Sequence, residues 1–171
     1  GQLWQVGESL LYCGSSTEKE SYDHFLDVGK MVLTDPPYGV NYEGKSKGTG
    51  LKIKNDKQED LPRLLSSAFK LAYDKCAEGA TWYVFAPANP QFYDFATELN
   101  KLEIWKQTLV WVKSSFVLGH SDYHYKHEAI FYGWKKGKRK GISDRAKTSV
   151  WNADKPSRNE LHPTIKPQEL L

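Results

Sequence analysis

The chain has 171 residues, 39% of them hydrophobic and 26% charged, with a formal net charge of +3. These values bound one globular domain large enough to bury a core; no apolar run is long enough to cross a bilayer, and a mean hydropathy of −0.65 agrees in setting membrane functions aside. The pI near 8.7 is compatible with a polyanionic partner without requiring one.

The two cysteines, Cys13 and Cys76, have no short metal-ligand spacing, and no signal-peptide pattern opens the chain. Free thiols in a reducing, cytoplasmic compartment are the expectation. Six tryptophans and ten tyrosines supply both core and stacking surfaces, and for any single ring the core is the simpler assignment.

In chain order, Ser9 to Cys13 (SLLYC) predicts a short strand and Glu18 to Leu26 a helix. Lys30 to Thr34 (KMVLT) predicts a buried strand that runs into Asp35-Pro36-Pro37-Tyr38. Gly44 to Gly50 (GKSKGTG) predicts a mobile loop; lysines interleave its glycines and no strand leads directly into it, so a phosphate cradle there is a weak reading. Asp60 to Lys75 sets Leu61, Leu64, Leu65, Ala68, Leu71 and Ala72 at helical spacing, with Asp60 as N-cap and Pro62 in the first turn. Thr81 to Phe85 predicts a strand, Pro90 to Leu99 a helix, and Gln107 to Val112 and Glu128 to Trp134 two further strands. Strands alternating with helices imply an α/β fold with a mostly parallel sheet, and the last two strands are expected to form an antiparallel edge.

The most informative stretch is Thr34-Asp35-Pro36-Pro37-Tyr38-Gly39. Successive prolines remove two backbone donors and hold the chain extended, leaving carbonyls free to accept. A nucleobase amino group is a poor nucleophile because its lone pair is delocalised into the ring. A site that uses it must accept its hydrogens and favour tetrahedral nitrogen, which the Asp35 carboxylate and the Pro36 carbonyl together offer. Tyr38 adds an aromatic face for a base swung out of the duplex.

This tetrapeptide resembles the catalytic D-P-P-Y signature of the DNA amino-methyltransferases that modify adenine at N-6 or cytosine at N-4. Trp111-Val112-Lys113, Gly119 to Tyr123 and His127 to Gly133 resemble that family's strand-loop-strand block beside the flipped base. His162-Pro163-Thr164-Ile165-Lys166-Pro167 resembles its H-P-T-x-K-P motif, which borders the methyl-donor pocket and leads into a helix. The motif order is that of the permuted classes, in which the catalytic tetrapeptide precedes the donor-binding glycine motif.

The resemblance implies a Rossmann-like methyltransferase fold that uses S-adenosylmethionine, with DNA as substrate and a site-specific, restriction-modification setting. It assigns catalysis to Asp35, Pro36, Pro37 and Tyr38, and the donor pocket to Ser15, Asp35, His162, Thr164, Lys166 and Pro167. Asp ahead of the two prolines favours adenine, since cytosine enzymes more often carry Ser there. Two departures stand out. The F-x-G-x-G turn that follows the H-P-T-x-K-P helix in the family is not reached before Leu171, so the expectation is a catalytic half without its principal donor loop; and Gly14-Ser15-Ser16 stands where the family often has Gly-Asp.

Basic residues concentrate at Lys135, Lys136, Lys138, Arg139, Lys140, Arg145 and Lys147, inside a short segment, 135–160, where the family holds its target-recognition element. Flexible lysines and arginines there are expected to neutralise DNA phosphates. So short a segment implies a small recognition surface, a second copy in a homodimer, or a separate specificity or restriction partner. Asp122 and Tyr123 are expected to line the base pocket or the loop over it. His120, His124 and His127 match no standard zinc spacing, and no metal is expected. Three competing readings are a cytosine N-4 enzyme, a non-catalytic DNA-binding remnant, and a metal-dependent nuclease on Asp35, Glu128 and the histidines. In the bland reading Glu128 is only a strand-start carboxylate paired with a lysine.

Overall fold

A computed structural model of the chain describes residues 1–25, 27–41, 56–119, 121–139, 141–154 and 165–170. The predicted Gly44 to Gly50 loop lies outside them. An N-terminal hairpin pairs β1 (Gln2–Val6) with β2 (Ser9–Cys13), and a one-turn helix α1 (Glu20–Asp23) leads toward β3 (Gly29–Thr34). After a 3₁₀ turn at Gln58–Asp60 come α2 (Leu61–Lys75), β4 (Cys76–Ala86) and α3 (Phe92–Lys101). The chain continues through β5 (Trp105–Val117), β6 (Tyr125–Trp134) and β7 (Val150–Ala153).

Among the described residues, the main sheet has the order β3-β4-β6-β5-β7. The α/β class is as expected, but the sheet is mixed. β3 runs parallel to β4 and β5 parallel to β7, whereas β6 is antiparallel to both its neighbours. The antiparallel pair β5/β6 therefore sits in the interior and not at an edge. The close sequence spacing of these strands gave their pairing correctly. It carried no information on where the pair inserts, and β7 is too short and too weakly patterned to announce itself as the strand beyond β5.

α2 and α3 cover one face. Leu61, Leu65 and Phe69 recur at every fourth position of α2, one stripe of a 3.6-residue helix, and pack with Phe95 and Leu99 of α3 onto Trp82, Val84 and Phe131 of the sheet. Asp60 does not cap α2 with its side chain as expected, because the 3₁₀ turn already gives it helical backbone angles. The opposite face buries Phe85, Leu109, Trp111, Ile130 and Tyr132, with Leu170 packed against them. Strand alternation thus sends Trp82 and Val84 to one side and Phe85 to the other. Gly133 is required by close approach, since a Cβ there would collide with the Ile104 carbonyl.

Candidate active site

β3 ends at Thr34, opposite Val84 of β4, and delivers Asp35 to the C-terminal end of the parallel pair. The backbone then turns through Gly39, whose φ of +69° and buried position admit no side chain: a Cβ would lie 2.9 Å from Leu61 Cδ2. Asp56, itself buried, fixes this turn. Its Oδ1 accepts from the Gly39 N–H at 2.7 Å, and its carbonyl accepts from Asn41 N–H at 2.8 Å. Pro36 and Pro37 stand between this anchored turn and the strand, so both ends of the tetrapeptide are held.

Side chains from four segments converge here. Lys166 Nζ lies 2.8 Å from Asp35 Oδ2 and 3.1 Å from Glu128 Oε2. Glu128 Oε2 also accepts from the Tyr38 hydroxyl at 2.8 Å, and its Oε1 lies 2.6 Å from Lys113 Nζ. Lys166 donates to the Tyr38 oxygen at 3.3 Å. The Tyr38 ring meets Phe95 edge-on, at 6.1 Å and 84°. Two carboxylates and two ammonium groups therefore balance. The lysines are the more deeply enclosed, at 7% exposure for Lys113 and 9% for Lys166, while Asp35 keeps 32% and faces outward.

The charges respond to this enclosure. Loss of solvent around Asp35 raises its carboxyl above the usual aspartate range; Lys166 opposes that rise and the charge of Glu128 adds to it. At Glu128 the same desolvation acts upward, but Lys166, Lys113 and the Tyr38 hydroxyl outweigh it, so its carboxyl is held below the usual value. Burial, with Asp35 and Glu128 nearby, pushes the Tyr38 phenol well above its usual range and keeps it a hydrogen-bond donor.

Asp35 and Pro36 also line an open cleft of about 1730 Å³, together with other residues of β3 and with Gly14, Ser15 and Thr17 from the segment after β2. Ser15 and Asp35 are both among the residues that line this cleft. Ser15 Oγ pairs with Thr17 Oγ1 at 2.8 Å, which places two hydroxyls side by side. Pro167 is buried beside Lys166, whereas His162 and Thr164 lie outside the described residues.

The predicted DNA-contacting residues fall in three places. Asp122 and Tyr123 sit on the exposed tip of the β5–β6 hairpin, beyond the same end of the sheet as Asp35, with Tyr123 85% exposed. Lys135 and Arg139 are engaged by the fold. Lys135 Nζ donates to the Tyr73 and Cys76 carbonyls at 2.7 and 2.9 Å at the end of α2, and Arg139 stacks on Trp134 at 3.9 Å and donates to the Tyr132 hydroxyl. Lys136 and Lys138 are exposed, but they follow β6 at the far end of β4 from Asp35, where the Lys135 N–H bonds the Ala80 carbonyl. Arg145 is exposed on the return to β7, and Lys140 lies outside the described residues.

Sequence reasoning gave Asp56 no role, placed Lys113 only within the block that resembles the one beside the flipped base, and offered Glu128 as a nuclease carboxylate or a strand-start carboxylate paired with a lysine; Glu128 does pair with lysines, Lys113 and Lys166. A signal existed for Lys113 and Glu128: each is a charge bordering the apolar run of its strand, on the register that points to the Trp111 and Ile130 face. Among the described residues, no three His, Cys, Asp or Glu side chains are arranged to hold a metal ion.

M1.HpyAVI, in a structure described as its SAM complex, is 18% identical and superposes with a TM-score of 0.56 over 93% of this chain and 72% of its own. TTHA0409 of Thermus thermophilus, described as a DNA modification methylase, is 15% identical with a TM-score of 0.55, over 81% of this chain and 64% of its own. At such identities the likeness establishes the fold, and the chain spans roughly two thirds of these proteins' length. No curated protein matches it. The sequence model of a DNA methylase family, comprising N6 and N4 methyltransferases, matches residues 30–171, which include Asp35, Tyr38, Lys113, Glu128 and Lys166, and the chain belongs to that family.

Proposed function

We propose that the chain acts as a DNA amino-methyltransferase that uses S-adenosylmethionine and acts on the exocyclic amine of adenine. The observation that supports this best is the Asp35 carboxylate, fixed by Lys166 at 2.8 Å yet open to a wide cleft. Asp35 and the Pro36 carbonyl accept the two amine hydrogens and turn the nitrogen lone pair toward the methyl carbon. Tyr38, its hydroxyl pinned by Glu128, offers its ring to the extruded base. Raised above the usual range by desolvation, Asp35 is suited to take the proton that the amine must lose.

The adjacent hydroxyls of Ser15 and Thr17, in a cleft that Asp35 also lines and to which Met31 and Trp82 add apolar lining, fit a molecule with a polar ribose and a flat base. Ser15 and Asp35 would hold the donor, with Lys166 and Pro167 flanking it; the resemblance of the H-P-T-x-K-P motif adds His162 and Thr164 as proposed donor contacts. S-adenosylmethionine supplies a methyl group on a sulfonium that is already a good leaving group, so the chain's contribution is positioning and electrostatics. No covalent enzyme intermediate is required. Exposed Lys136, Lys138 and Arg145, within the 135–160 recognition segment, contribute phosphate contacts, with Lys136 and Lys138 reaching the backbone away from the target base.

The test is nucleoside mass spectrometry of DNA incubated with the full natural polypeptide and methyl-labelled donor. Labelled N6-methyladenine is the expected product. Labelled N4-methylcytosine would reassign the base, and no labelled nucleoside would overturn the reading.

A further inference from the structure

Resting on the reading that Asp35 and Tyr38 hold the base, we propose that Glu128 is the positioning residue of this site: one carboxylate sets the Tyr38 ring directly and the Asp35 carboxylate through Lys166, with Lys113 as its buried counter-ion.

The geometry carries the argument. Glu128 Oε2 receives both the Tyr38 hydroxyl, at 2.8 Å, and Lys166, at 3.1 Å, while Oε1 is occupied by Lys113 at 2.6 Å. The stacking ring and the amine acceptor are thus referred to a single oxygen atom on an interior strand. Lys166 divides its ammonium between Asp35 and Glu128. Without Glu128 the ammonium would turn wholly to Asp35 and compete with the substrate amine for its lone pairs. Stability alone gives little reason for the arrangement, because buried ion pairs are often replaceable by apolar side chains of similar volume without loss. Four charged groups on the face that buries Trp111 and Phe85 are better explained by what they hold in place; Lys113 lies 5.2 Å from the Trp111 ring and Lys166 5.2 Å from the Phe85 ring.

Glu128→Gln keeps the shape but drops the charge, and should lower kcat by about tenfold to a hundredfold, the range for losing hydrogen bonds to a charged group, with little change in KM for the donor. The variant leaves Lys113 without its carboxylate, so a loss of folding must be separated from a loss of positioning. The double variant K113M/E128Q removes both members of the buried pair. Its thermal stability should recover relative to E128Q while kcat stays low; recovery of kcat would show that Glu128 only neutralises Lys113 and would overturn the proposal.

An activity-independent arm follows the Asp35 carboxyl by carbon-13 NMR. Among the described residues, Lys166, Glu128 and Tyr38 act on it. Since the charge of Glu128 acts to raise the Asp35 carboxyl, both variants should shift its titration to lower pH. An unmoved titration would equally overturn the proposal. A wild-type protein that methylates no DNA would sink the functional reading, and the NMR arm alone would then decide the role of Glu128.

Discussion

The hydroxyl of Tyr38 donates to Glu128 Oε2 at 2.8 Å, joining the loop after an edge strand to a strand in the sheet interior. β4 lies between the two strands, so the bond is made across its C-terminal end. The ring following the two prolines is therefore held by the sheet itself and not only by its own turn.

That bond separates two functions of Tyr38. Tyr38→Phe keeps the ring and loses one hydrogen bond to a charged acceptor that retains two lysine partners, so a loss of about 1 kcal/mol in kcat/KM is expected. Tyr38→Ala removes the stacking face, which for a base is worth about 1–3 kcal/mol beyond that. Steady-state kinetics on one DNA substrate compare the two; equal losses would show that the ring does not stack on the base.

Lys166 should set the acid limb of activity. It is the main group that opposes the rise of Asp35, so Lys166→Met lets the carboxyl rise further and moves the acid limb to higher pH. The same variant removes the leading cation that holds Glu128 down. The stability effects agree in sign. A raised carboxyl such as Asp35 contributes stability that is lost as pH rises through its folded value, and a lowered one such as Glu128 contributes stability lost as pH falls through its folded value. Removing Lys166 therefore costs more at neutral pH than in mild acid, which thermal melts at the two conditions would reveal.

Basic residues of the 135–147 stretch should divide by what they touch. Lys135→Met loses two hydrogen bonds to carbonyls at the end of α2 and should destabilise the fold by about 1–3 kcal/mol in urea titration, without altering the salt dependence of DNA binding. The exposed set K136A/K138A/R145A should do the reverse: unchanged stability and a flatter dependence of affinity on salt. A steep slope retained in the triple variant would remove these residues from the DNA interface.

The tetrapeptide was legible because prolines and a strand of β-branched and aliphatic residues dictate local geometry strongly. α2 and α3 were legible from their apolar spacing. The sheet order was not, since β6 inserts between β4 and β5 through pairings that no local pattern encodes. Strand ends were misjudged as well: Cys76 to Ala80 and Ser114 to Val117 extend β4 and β5 beyond the apolar runs that mark them in the sequence. Asp56 was missed because its role, accepting from the Gly39 N–H, depends on a contact between residues 17 positions apart that no local pattern encodes. Arg139 and Lys135 read as a phosphate arm because composition reports charge and not the carbonyls or rings that occupy it.

The central claim is that Asp35 accepts the amine of the target base. Single-turnover methyl transfer by Asp35→Asn tests it most directly, in the full polypeptide saturated with donor and DNA. Lys166 keeps Glu128 as its partner at 3.1 Å, so the fold and its melting temperature should be retained. The account predicts a fall in the transfer rate of at least about a hundredfold, the scale seen when one preorganised catalytic hydrogen-bonding group is removed. A folded Asp35→Asn protein that transfers methyl groups at the wild-type rate would contradict it.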